Sequence, residues 1–231
     1  SLLAIVLLGL AKGGFSGLGA LATPLLALTL PPITAAALLL PVLLVQDVVS
    51  VWSYRKTWDG WIIGWILPGA LAGIALAAVL AAVVPEERLL LVLGAITLVF
   101  GLYRLWIERG GRIAATSNSS GWVGSLFGVG MGFASQIAHA GGPPFQMWVA
   151  PRRLPPTIFA GTGSIIFAAV NWMKVPSYAA LGSFTADVLT AAALLTPLAV
   201  LTTLGGIWIV RRIEPARFYK IINVLMCALG I

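Results

Sequence analysis

The segment Gly9-Leu-Ala-Lys-Gly-Gly-Phe-Ser-Gly-Leu-Gly19 puts a lysine and a run of glycines inside a stretch otherwise apolar enough to enter a lipid bilayer. A second glycine run, Gly128-Val-Gly-Met-Gly132, leads into Ser135-Gln-Ile-Ala-His139-Ala-Gly-Gly-Pro-Pro144, which holds the single histidine of the chain. Irregular polar backbone at membrane depth survives only where it is buried in protein or lines a cavity. An ionisable side chain there costs roughly 2.5–3.5 kcal/mol on insertion scales, so it marks a functional site by default. Two such interruptions, one in each half, predict a membrane carrier built from repeats.

Composition sets the class. Hydrophobic residues make up 60% of the 231 and charged residues 9%, against about 25% charged in a soluble domain. Stretches 35–51, 61–84, 89–106, 157–172 and 184–210 approach the ~20 apolar residues a span needs. Polar stretches are too short for a soluble domain. The Lys and Arg residues sit mostly at span ends, so the net charge of +7 reads as the positive-inside pattern rather than a nucleic-acid footprint. The first ten residues lack a basic n-region, so no cleavable signal peptide is expected. Cys227, the sole cysteine, has no partner for an intrachain disulfide and reads as a packing residue. One His, one Cys and scattered carboxylates predict no metal site and no cofactor. Without Gly-x-Ser-x-Gly or His-Glu-x-x-His, no catalytic residue and no enzyme activity are expected.

The polar segment 108–120 divides the chain into a first repeat, 1–107, and a second, 121–231, and is expected to be a cytoplasmic linker. The order of features recurs on either side: 9–19 against 128–142, Thr23-Pro24 against Pro143-Pro144, Pro31-Pro32 against Pro155-Pro156. Asp47 falls opposite Asn171 and Tyr54 opposite Tyr178. Arg55 and Lys56, then Arg104, Arg109 and Arg112, flank two spans whose turn carries Glu86 and Glu87. Arg152 and Arg153 likewise precede two spans that Arg211, Arg212, Arg217 and Lys220 follow. With all basic loops inside, Arg152 and Arg153 stand where the first half has its outer Pro31-Pro32 loop, so the halves are expected to be inverted. Lys174 is the one basic residue on the wrong side of this scheme. Inversion needs an odd number of crossings per half. Three helices supply it if 2–30 and 122–150 are re-entrant hairpins; a single long broken helix at each place is the competing reading. Asp187, near the outer end of its span, reads as interfacial, and Trp52, Trp58, Trp61, Trp106 and Trp122 as belt residues.

Proline favours the first turn of a helix and threonine the position before it. Thr23-Pro24 and Gly142-Pro-Pro144 therefore read as starts of half-helices near mid-membrane, whose free N–H groups suit an anion. Lys12 is expected to supply the fixed charge, with snorkelling to the interface as its alternative. His139 would be a second cationic or donor group titrating near neutral pH, or a neutral ring satisfied by a backbone carbonyl. Gly13, Gly14, Gly141 and Gly142 would let backbone approach the ligand. Thr23, Ser135, Gln136 and Gln146 would add hydrogen bonds. Asp47, Arg55 and Asn171 are candidates for coupling or gating, Asp47 by holding Lys12 in the empty site or carrying a proton.

The runs Lys12-Gly-Gly-Phe-Ser-Gly17, Leu40-Pro-Val-Leu-Leu-Val-Gln-Asp47, Trp52-Ser-Tyr-Arg55, His139-Ala-Gly-Gly-Pro-Pro144 and Val170-Asn-Trp-Met-Lys-Val-Pro-Ser-Tyr178 resemble the sulfite/organosulfonate exporter family called TauE/SafE. The resemblance covers nearly the whole chain. It implies a multi-pass permease of the bacterial inner membrane for sulfite, sulfoacetate or related sulfonates. The expected architecture is therefore all-α, with two inverted repeats of one glycine-rich broken or re-entrant helix plus three transmembrane helices. The expected partners are a small anion and the bilayer, with no nucleic acid and an oligomeric state left open. A passive anion channel and a carboxylate carrier are the nearest alternatives, a membrane enzyme the most remote.

Overall fold

A computed structural model of the chain describes residues 2–83 and 117–229. Among these residues it is helical, without strands. Four helices, Thr34–Tyr54, Gly60–Ala81, Pro156–Ala180 and Ala186–Val210, are long and apolar enough to cross a membrane. They coincide with four of the five expected spans. The fifth, 89–106, lies outside the described residues, as do Glu86, Glu87, Arg104, Arg109, Arg112, most of the 108–120 segment and the side chain of Cys227.

Each half starts with an interrupted helix. Helix α1 spans Leu2–Lys12 and stops where Gly14 takes φ 135°, a conformation closed to residues with a Cβ. A 3-10 turn, Ser16–Leu21, then winds directly into α2, Ala22–Ala27. In the second half, α5 spans Gly121–Ala138 and ends on His139 in the left-handed conformation, and α6 follows as Gly142–Val149 with prolines in its first turn. At 11 residues, α1 is about 16 Å long, near half the ~30 Å hydrocarbon core.

Long helices follow each interruption. Pro32 opens α3, Pro32–Tyr54, and Pro156 opens α7, Pro156–Ala180, both using proline where its missing N–H has no intrahelical partner. Next come α4, Gly60–Val83, and α8, Ala186–Val210, capped by Thr185. The last helix, α9, is Pro215–Leu229.

Packing partners are exchanged between the halves. Helix α1 packs on α8 and α5 on α4, while α3 packs on both α7 and α8, and α4 on α7. Glycines set the two exchanged contacts. A Cβ on Gly69 would stand 2.0 Å from the Ser125 carbonyl oxygen, and one on Gly132 would stand 2.0 Å from that of Ala70. At the α1–α8 contact a Cβ on Gly13 would fall 2.5 Å from Gly206 Cα. Small residues four apart let apolar helices approach at backbone distance where no hydrophobic effect drives them together. Much of the glycine content is therefore a packing device.

Candidate functional site

The two interruptions meet. The 3-10 turn packs against α6, so closely that a Cβ on Gly142 would lie 2.3 Å from the Ser16 carbonyl oxygen. Gln146 Nε2 donates to Ser16 Oγ across the junction at 3.1 Å. Beside it lies a cavity of about 40 Å³ whose polar wall includes Lys12, Ser16, Ser135, His139 and Asn171. Phe145, Phe159 and Phe167 form the apolar wall. Phe145 packs tilted on Phe159 and edge to face on Phe167, with centroids 5.2 and 5.5 Å apart.

Lys12 is buried and forms an ion pair with Asp47 of α3. Asn171 Nδ2 of α7 donates to the other Asp47 oxygen at 2.6 Å. The Lys12 ammonium also lies 5.5 Å from the centre of the Phe167 ring, a cation–π distance. The snorkelling alternative does not apply, because Lys12 points into protein. With both carboxylate oxygens bonded, Asp47 neutralises Lys12 rather than facing the cavity.

A second polar group stands behind the first. Lys174 of α7 is fully buried. Its Nζ lies 3.2 Å from the Ser135 carbonyl oxygen, 3.1 Å from Ser135 Oγ and 2.7 Å from His139 Nδ1. His139 Nε2 lies 2.9 Å from the Ala36 carbonyl oxygen. A carbonyl only accepts, so Nε2 carries a hydrogen and Nδ1 is left to face Lys174. Lys174 is the one basic residue on the wrong side of the positive-inside scheme, and its burial explains why it does not follow that rule.

Other expected residues divide by position. Lys12, Gly14, Ser135, His139, Gly142 and Asn171 line the cavity. Gly13 instead serves the α1–α8 contact, and Gly141 precedes α6 without lining the cavity. Gln136 turns to Ser177 Oγ at 2.5 Å, and Gln146 reaches the cavity only through Ser16. Thr23 is not a helix cap. The 3-10 turn has already started the helical winding, with Ala22 N–H bonded to Gly19 O, so Thr23 lies inside α2. Arg55 is remote, exposed and folded over the Trp52 ring. Asp187 is exposed in the first turn of α8. Lys174 and Ser16 are the residues that sequence reasoning missed. The spacing of Asn171 and Lys174, three apart on one helix face, was the available signal.

The chain matches no curated protein and no solved structure. The protein family described as "Sulfite exporter TauE/SafE" matches over residues 1–231, the full length. With that match over the whole of a chain built from apolar helices, this chain belongs to the TauE/SafE sulfite exporter family.

Proposed function

We propose that this protein is a secondary transporter for small sulfur-containing anions such as sulfite, sulfoacetate and other organosulfonates. The anion sits at mid-membrane between two glycine-rich hairpins. The halves 1–107 and 121–231 are inverted about an axis in the membrane plane, joined by a cytoplasmic linker, 108–120, in a bacterial inner membrane. Lys12, Ser135, Gly14 and Gly142 contact the anion, His139 lines the cavity with its ring nitrogens committed to Ala36 and Lys174, and Asp47 with Asn171 holds Lys12 in the empty state.

One observation carries the reading: hydrogen-bond donors from both interruptions line one cavity in a chain of this family. A volume of about 40 Å³ exceeds the ~10–15 Å³ that one water needs. That suits a compact oxyanion head better than a bulky ligand. The phenylalanine wall suits the short carbon chain of an organosulfonate.

A binding screen of purified protein against sulfite, sulfoacetate, taurine, acetate and sulfate tests the substrate class. Sulfite or a sulfonate should bind most tightly. Ser135→Ala, which removes a hydrogen bond to a charged oxygen, should weaken that binding roughly tenfold to a hundredfold. Tighter binding of carboxylates would reject the sulfur-anion reading. In proteoliposomes the flux should saturate with substrate; flux linear in concentration would point to a channel.

A further inference from the structure

We infer that Lys174 and His139 form a proton-binding site that fills together with the anion, so that the protein carries anion and proton as a neutral pair. This rests on the anion reading above and adds the coupling ion to it.

The charges nearby leave one place to vary. Lys12 and Asp47 cancel each other, and Asp47 has its second oxygen occupied by Asn171. Tyr178, stacked 6.1 Å from the His139 ring, has its hydroxyl committed to the Gln136 carbonyl at 2.9 Å. His139 Nε2 is fixed as a donor to Ala36 of α3. What remains is the cluster of Lys174 Nζ, His139 Nδ1 and Ser135 Oγ. Among the described residues Lys174 has no carboxylate partner, and it is fully buried. An ammonium in that position is costly until a counter-charge arrives.

The same contacts accommodate both protonation states. As a neutral amine, Lys174 donates to Ser135 O and His139 Nδ1, and its lone pair accepts the Ser135 hydroxyl. As an ammonium, it donates to all of them, matching three hydrogens to three acceptors. The Ser135 hydroxyl hydrogen is then released. Ser135 lines the cavity, so that hydrogen turns to an oxygen of the bound anion. One hydroxyl donates either to the amine or to the anion, not to both. The proton enters from water on the side from which the anion comes, adds to the Lys174 lone pair, and returns to water when the anion leaves. No bond other than that N–H forms or breaks.

Calorimetry with methanesulfonate, which stays singly charged throughout the working pH range, tests this. Titrations at one pH in buffers of different ionisation enthalpy should show uptake of about one proton per bound anion, and affinity should fall about tenfold per pH unit on the alkaline side. The Lys174→Met/His139→Gln variant should bind more weakly, with neither dependence. If that variant does not fold, the wild-type buffer series decides alone. Normal binding with the same heat in every buffer would overturn the proton site while leaving the anion reading intact. No binding of methanesulfonate or sulfite by equilibrium dialysis would overturn the anion reading itself, and the proton site with it.

Discussion

The two interrupted helices are held by the same hydrogen-bond frame but furnished with different charges. In the first half, Tyr54 donates to the Gly13 carbonyl at 2.7 Å and Ser50 to the Lys12 carbonyl at 3.0 Å. In the second half, Tyr178 donates to the Gln136 carbonyl at 2.9 Å and Lys174 to the Ser135 carbonyl at 3.2 Å. The donors recur at one spacing, 50 and 54 on α3, 174 and 178 on α7. Where the first half has Lys12, the second has Ser135; where α3 has Asp47 and Ser50, α7 has Asn171 and Lys174. Equivalent backbone thus carries non-equivalent electrostatics: a neutralised ion pair on one side and a lysine–histidine couple on the other. The frame holds the interruptions in place, and the exchanged side chains supply the chemistry.

Substitutions at paired positions probe this division. The largest loss should follow Lys12→Ala, which strands the buried Asp47 carboxylate; breaking such a pair costs about 3–5 kcal/mol. Adding Asp47→Asn should restore most of the thermal stability in detergent. A single variant as stable as wild type would show that the pair is not buried as described. Next come the helix contacts. Gly132→Ala and Gly13→Ala each drive a methyl into backbone and should cost about 1–3 kcal/mol. Gly130→Ala, with open space at its Cβ, should be neutral or stabilise by about 0.5–1 kcal/mol. Equal melting temperatures for Gly130→Ala and Gly132→Ala would remove the packing role of the glycine run. The smallest effects belong to the frame. Tyr54→Phe and Tyr178→Phe should each lose about 0.5–1.5 kcal/mol, and by similar amounts. A marked difference between them would mean that the halves are not held alike.

Much of this was legible in the sequence. Four of the spans, both interruptions, Pro143-Pro144 at a helix start and the approach of Asp47 to Lys12 follow from hydropathy, proline chemistry and the cost of a lone buried charge. What failed shows where one-dimensional reading stops. Thr23-Pro24 has the residues of a helix start, but the 3-10 turn ahead of it had already satisfied the winding. Gly13 and Gly14 are neighbours with different roles, one facing α8 and the other lining the cavity, because a helix face and a chain break lie one residue apart. Lys174 was misjudged because loop-charge rules describe exposed lysines, and its true neighbours, Ser135 and His139, are far away in sequence.

The central claim is that an anion binds where the two interruptions meet. Crystals of the protein grown with selenite, a heavier analogue of sulfite, would place the anion by the anomalous signal of selenium. The selenium should lie in the cavity, within hydrogen-bond reach of Lys12 or Ser135 and beside Gly142. Selenium found only at the exposed arginines, with this cavity empty at saturating selenite, would contradict it.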